Sequence, residues 1–339
     1  MKFAFTADIH LSRYGQDKVE DKTNLPERLF SIQTALNGIA EYCIKNDIKN
    51  IVIGGDLLHG KSVIYALAQS IMLDFFRKYN YLSFIVIDGN HDLSGKGASA
   101  VSALKSIDNE PNVLRIEDDY WRKKDLLFVP YSYNMVDIIK NNKETFLISH
   151  FGLTEAMLNS GISIVSSLSS KDLVGRYKYV LLGHYHKPQE MITDDIQIYY
   201  VGSPIQLDWG EKNETKRFLV VDTEKKTIES IPTIGYKKYR EYIITAENKN
   251  EIVEEARQLQ ENGHHVKIVK EEDVDIDDTE FRVIDKTEID ITNRGITSSM
   301  SKADILKKFL EIKGVQDTEE YLTAGLDIIN CCEGVEDGS

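Results

Sequence analysis

Asn50-Ile51-Val52-Ile53-Gly54-Gly55-Asp56-Leu57-Leu58-His59 runs a short β-branched segment straight into a Gly-Asp turn, with a histidine three residues further on. An apolar run of this length bounded by glycines reads as a buried strand, Asn50–Gly54. The aspartate and histidine then stand past its carboxyl end, where open α/β sheets place their ligand sites. The same arrangement recurs on either side of this stretch. Lys2–Ala7 leads to Asp8-Ile9-His10, and Phe84–Ile87 leads to Gly89-Asn90-His91-Asp92. Thr145–Ser149 runs into His150, and Tyr179–Leu182 into Gly183-His184-Tyr185-His186. Six of the eight histidines fall in this one ordered series.

Helical periodicity fills the gaps between the first three strands. Pro26–Asn46 places Leu29, Ile32, Leu36, Ile39 and Ala40 on one face, and Ser62–Tyr79 gives a broad apolar surface with Ala66, Ile71, Leu73, Phe75 and Phe76. From Leu126 strands dominate: Leu126–Pro130, then Ile196–Val201 and Phe218–Asp222 beside those already named. The class is α/β, and five loops at strand ends converge on one crevice.

The 339 residues suggest two domains, or one large domain with an appendage. Around Gly235 the pattern changes: Tyr239–Thr245 and His265–Val269 are strand-like, and Lys249–Asn262 is a charged helix. A first domain over 1–235, a smaller α/β domain over 236–295 and a helical tail over 296–339 are expected. In the tail, Ser301-Lys302-Ala303-Asp304 has the capping-box form and opens a helix with Ile305, Leu306, Phe309 and Leu310 on one stripe. Asp317–Glu320 can open a second, carrying Leu322, Leu326 and Ile329.

An apolar fraction of 42% suffices for a core, and no stretch is long enough to span a bilayer. The first apolar run reaches Asp8 too soon for a signal peptide. Cys43, Cys331 and Cys332 have neither paired spacing nor a CxxC motif, so a reduced cytoplasmic setting is expected. The net charge of −14 is unevenly spread: 1–235 hold 27 Lys and Arg against 30 Asp and Glu, while 236–339 hold 14 against 25. Polyanion binding needs cations. A nucleic-acid substrate would therefore require positive surface from a partner.

Histidine and carboxylate at this density point to a metal site. Two divalent ions about 3.5–4 Å apart need a bridging oxygen ligand, and Asp56 is the natural bridge because its loop lies between the others in sequence. Asp8, His10 and one of His184 and His186 would complete one site; Asn90, His150 and the other histidine would complete the second. Mixed nitrogen and oxygen donors suit Mn²⁺, Fe²⁺ or Zn²⁺ better than Ca²⁺. His91 adjoins a ligand without being one, a place fit for a general acid. His59 would contact the phosphate or orient His91. Taken singly, each motif is an ordinary polar turn; the ordered set is what carries the reading. His264 and His265, beside a helix C-terminus, are read as structural.

The motif series resembles the calcineurin-like metallophosphoesterase superfamily over residues 1 to about 210. The protein serine/threonine phosphatases of that superfamily carry Gly-Asp-x-x-Asp-Arg-Gly and Gly-Asn-His-Glu, whereas this chain has His59 and Asp92. A histidine at 59 is similar to the DNA double-strand-break repair nucleases of the SbcD type. So is Gly202-Ser203-Pro204-Ile205-Gln206-Leu207-Asp208-Trp209-Gly210-Glu211, followed by the strand Lys216–Asp222. Length and a compact tail look most like a phage recombination endonuclease subunit.

The resemblance implies a four-layer α-β-β-α core with a smaller α/β cap and a helical tail that binds an SMC-like coiled-coil ATPase. It implies Asp8, His10, Asp56 and His186 around one ion, and Asp56, Asn90, His150 and His184 around the other, with Mn²⁺ the expected metal. It makes His91 the catalytic histidine and gives His59 an assisting role on duplex DNA. It also implies a homodimer, through a helix such as 62–79. A phosphodiesterase acting on a small-molecule diester would use the same metals; the long C-terminal extension argues against it. A binding module without catalysis is disfavoured by the complete ligand set.

Overall fold

A computed structural model describes residues 1–14, 18–20, 23–60, 63–95, 97–276, 279–286, 300–312, 314 and 321–326. The expected second tail helix lies outside these residues except for 321–326, which are helical. Cys331 and Cys332 also fall outside them.

The strands are β1 (Lys2–Thr6), β2 (Asn50–Gly54), β3 (Ser83–Ile87), β4 (Leu93–Ser94), β5 (Val101–Ser102), β6 (Val113–Arg115), β7 (Trp121–Lys123), β8 (Leu126–Val129), β9 (Phe146–His150), β10 (Tyr179–Gly183), β11 (Gln189–Ile192), β12 (Gln197–Tyr200), β13 (Arg217–Asp222), β14 (Thr227–Pro232), β15 (Tyr239–Ile244), β16 (His265–Lys270) and β17 (Arg282–Asp285). The α-helices are α1 (Glu27–Lys45), α2 (Ala66–Lys78), α3 (Met135–Asn141), α4 (Ser170–Leu173), α5 (Lys249–Glu261) and α6 (Lys302–Ile312).

Two six-stranded sheets form the centre, in the orders β14-β13-β1-β2-β3-β6 and β11-β12-β10-β9-β8-β7. In the first, β1, β2, β3 and β6 run parallel and β13 and β14 close the edge antiparallel. In the second, β8, β9, β10 and β12 are parallel, and β7 and β11 are antiparallel edges.

Strands buried on both faces read as continuous apolar runs, and each run divides by period two. Phe3 and Phe5 of β1 face the space between the sheets with Phe146, Ile148, Tyr179 and Leu181, while Ala4 faces α1 and α2. On the far side of the second sheet, Leu127, Leu147, Val180 and Tyr200 pack with Ile139 of α3 and Leu173 of α4. These are the four α-β-β-α layers. Burying one such aromatic or branched side chain contributes about 1.5–3 kcal/mol.

Helix α1 buries Leu29, Ile32, Leu36, Ile39 and Cys43 at helical spacing. It stops at Asn46, whose side-chain amide donates to the Tyr42 carbonyl at 2.8 Å, and Asp47 follows at φ 52°, a left-handed residue beyond a helix end.

The chain divides into two compact units, 1–241 with 253–267, and 242–252 with 268–339. In the second unit, α6 presents Ile305, Leu306, Phe309 and Leu310 along one stripe. Its Leu306 lies where a Cβ on Gly325 would come within 2.5 Å. No helix among the described residues is long and apolar enough to cross a membrane.

Candidate metal centre

The loops after β1, β2 and β3 and the ends of β9 and β10 carry the five motifs. Parallel pairing places these carboxyl ends side by side, with Gly183 paired to His150 across the second sheet. The sheets touch here through glycines. A Cβ on Gly183 would stand 2.6 Å from the Gly54 carbonyl and 2.7 Å from His150 Nδ1, and one on Gly89 would stand 2.2 Å from Asp56 Oδ1. Side chains from opposite ends of the first 190 residues thus meet: His10 Nε2 and His186 Nε2 are 2.9 Å apart across 176 positions.

Asp8, His10 and His186 form one group of ligand atoms within 4.8 Å of one another, and Asp8, Asp56 and His150 form another. Asp56 Oδ2 lies 3.3 Å from His150 Nε2 and 3.6 Å from His10 Nε2, and so stands between the groups. Asn90 Oδ1 approaches His150 Nε2 at 3.2 Å and His184 Nδ1 at 2.9 Å. All seven expected ligands therefore converge. Asp8 belongs to both groups, a sharing that sequence reasoning gave to Asp56 alone.

The expected catalytic pair sits at the rim. His59 and His91 stack with ring centroids 4.8 Å apart, and His91 Nδ1 lies 3.3 Å from the His59 carbonyl. His59 Nδ1 also lies 3.0 Å from His10 Nδ1. His10, His59 and His91 make a third group of ligand distance that the sequence did not suggest.

The donor set fits divalent metal. Asp8 and Asp56 are fully or almost fully buried, and their ion-pair partners among the described residues are histidines. Burying two carboxylates is costly without compensating positive charge. Burial raises the Asp8 carboxyl above its usual range, against the pull of His150 and His186. At Asp56 burial acts the same way, but His150 and His10 outweigh it and hold the group ionised. Burial lowers His10 well below the usual imidazole range and takes His184 down to about 4, which leaves both neutral as donors. For His150, burial is outweighed by Asp56 and Asp8, and the ring is raised to about 9.

The backbone is strained at the same places. Asp8, His10 and Asp56 lie at φ 53–54° and His184 at 97°. Such left-handed residues cost of order 1–3 kcal/mol each and cluster at functional sites.

Two supporting carboxylates were not singled out by sequence. Asp92 is fully buried and accepts from the backbone N–H groups of Leu57, Leu58 and Gly89, which ties the Asp56 loop to the Asn90 loop. Glu211 reaches His186 Nδ1 at 2.9 Å. Both stand inside motifs quoted from the sequence, so the motif was the available signal and the role was not. A cavity of about 840 Å³ opens beside Asn90, with Asp88, Arg115 and Tyr131 in its wall. His264 and His265 stay outside the cluster: His264 Nδ1 accepts the Lys238 N–H, and His265 pairs with Glu27 at 3.0 Å.

Two sheets between helices, with a mixed Asp, Asn and His cluster at converging strand ends, define a metallophosphoesterase architecture. The sequence model of the calcineurin-like phosphoesterases matches residues 1–188, and the chain belongs to that family. It is 22% identical over 303 residues to the SbcD component of the nuclease SbcCD of Staphylococcus epidermidis, covering 78% of this chain and 77% of that one. It is 24% identical over 272 residues to exonuclease subunit 1 of Enterobacteria phage T4, covering 71% and 78%. Against the DNA double-strand break repair protein Mre11 of Archaeoglobus fulgidus it is 25% identical over 247 residues, covering 64% of this chain and 53% of that one.

Proposed function

We propose that this chain is a Mn²⁺-dependent DNA nuclease that hydrolyses backbone phosphodiesters at DNA ends during recombination and double-strand-break repair. The observation that carries it is the convergence of Asp8, His10, Asp56, Asn90, His150, His184 and His186, with His91 beside them and in none of the shared carboxylate groups. The names of the three relatives, all nucleases or break-repair proteins, support DNA as the substrate.

Asp8, His10, Asp56 and His186 would hold one ion, and Asp56, Asn90, His150 and His184 the other. Bound there, two divalent ions supply an activated water and neutralise charge developing on the phosphate. The protein's own part is orientation and proton transfer. The stack on His59 and the contact of Nδ1 with the His59 carbonyl fix the His91 ring and leave its Nε2 to the substrate. From there it protonates the leaving oxygen. Asp92 keeps the two loops in register while the phosphate is held.

Residues 1–235 would be the nuclease domain, 236–295 a capping domain and 296–339 a tail that docks on the coiled coil of an SMC-like ATPase. The excess of acidic residues after 235 supports a DNA-binding positive surface on that partner. The unpaired, buried thiol of Cys43 suits a reducing cytoplasm. A homodimer through the region of α2 completes the reading; Tyr65 and Leu67 are exposed at its start.

The test is Mn²⁺-dependent cleavage of linear duplex DNA beside a small chromogenic phosphodiester, with Asp56→Ala as control. Degraded DNA that the control leaves intact supports the nuclease. Turnover of the small ester alone, repeated with the ATPase present, supports a small-molecule phosphodiesterase. Cleavage retained by Asp56→Ala overturns the two-metal assignment.

A further inference from the structure

Trp209-Gly210-Glu211 closes a turn whose last side chain runs inward. Glu211 is 4% exposed and points back under the metal centre. One oxygen, Oε1, lies 2.9 Å from His186 Nδ1. The other accepts from Ser203 Oγ at 3.0 Å, the Leu207 N–H at 3.0 Å and Lys216 Nζ at 2.7 Å. Lys216 is wholly buried, and its three ammonium protons are all engaged: by Glu211, by Glu214 Oε2 at 2.7 Å and by the His186 carbonyl at 2.9 Å. Ser203 N–H donates to that same carbonyl at 3.1 Å. The turn that brings it there needs Gly202 at φ 78°, since a Cβ would stand 2.7 Å from the His186 oxygen.

We infer that Glu211, seated on the buried Lys216, is a positioning residue that fixes His186 as a metal ligand through Nε2. The inference rests on the reading of His186 as a ligand. A carboxylate only accepts and an ammonium only donates, so the direction of every bond in this network is forced. The Nδ1 of His186 must be the donor to Glu211. Its Nε2 is then left as the lone-pair atom, and it is that atom which faces His10 across 2.9 Å, in a residue that groups with Asp8 and His10. Lys216 holds the backbone of the same residue, so ring and main chain are clamped from one buried ion pair. A merely structural ion pair could hold the turn without touching the ring. Outer carboxylates of this kind orient metal-bound imidazoles, and their loss weakens metal binding by roughly 10–100-fold.

The experiment is a Mn²⁺ titration of the full chain followed by electron paramagnetic resonance, with His186→Ala and Glu211→Gln beside wild type. Two ions are expected for wild type and loss of one for His186→Ala. Glu211→Gln should weaken that same ion by roughly 10–100-fold and leave the other unchanged. If His186→Ala binds both ions as wild type does, the ligand reading fails and the inference with it. If His186→Ala loses an ion and Glu211→Gln does not weaken it, the ligand reading stands and the positioning role is overturned. Should Glu211→Gln alone not fold, Glu211→Gln with Lys216→Met removes both buried charges together and is read the same way. Wild type supplies an independent check. In the metal-free chain at alkaline pH, ¹⁵N-histidine spectra should find the His186 proton on Nδ1, a property that a purely structural Glu211 would not set. A proton on Nε2 overturns the inference whatever the variants do.

Discussion

At the scale of single residues, the candidate ligands are titratable bases, and pH dependence follows. His150 is buried, which by itself would lower it, yet Asp56, Asp8 and the Gly54 carbonyl raise it to about 9 from 6.5. In the metal-free protein its raised value stabilises the fold fully below 6.5, and that contribution fades as pH climbs to about 9. Metal requires the neutral ring, so the opposite trend holds for binding. Mn²⁺ affinity should rise over the same interval, with proton release seen as a buffer-dependent enthalpy in calorimetry. An affinity flat with pH would mean that His150 is not displaced from its proton by metal. His91 gives the complementary case. His91→Ser should retain both ions and lose roughly 10²–10⁴-fold in cleavage rate; loss of an ion instead would move His91 into the ligand set. Its contact at ligand distance with His10 and His59 makes that outcome worth measuring.

At the scale of elements, strand ends and glycines set the distances. Gly183 of β10 touches Gly54 of β2 and the His150 ring, with no room for a methyl group. Gly183→Ala should destabilise the protein by about 1–3 kcal/mol, as overpacking does, and weaken metal binding as the two sheets part. Urea unfolding with a parallel metal titration checks both; an unchanged midpoint would show that the sheets separate freely here. The strands that carry the motifs were legible because both faces are buried and the apolar run is unbroken. Trp121–Lys123, Gln189–Ile192 and Thr227–Pro232 were not, since each is an edge strand with no fully buried residue. The short α3 and α4, of 7 and 4 residues, gave too few turns for periodicity to register. The second helical layer was accordingly expected from the family resemblance alone.

At the scale of the whole molecule, the charge asymmetry and the tail make one prediction. If the proposed docking is right, deleting residues 301–339 should leave the candidate metal centre intact and active on short DNA while abolishing binding to the proposed ATPase partner. Co-purification and a nuclease assay on the truncated chain decide it. A complex of undiminished yield would reduce α6 to an element of its own unit.

The sequence by itself determined the α/β class, the strand-end placement of the five motifs and the identity of the seven candidate ligands. These are local properties: a buried strand needs an apolar run, and a ligand needs a donor atom, and both are written along the chain. Only the tertiary structure decided which donor atoms come within reach of one another. It placed Asp8 in both carboxylate groups, set His59 against both His10 and His91, and brought Glu211 and Lys216 beneath His186. Those are distances between loops far apart in the chain, fixed by how two sheets pack and where glycines let them touch. No spacing along the chain encodes them.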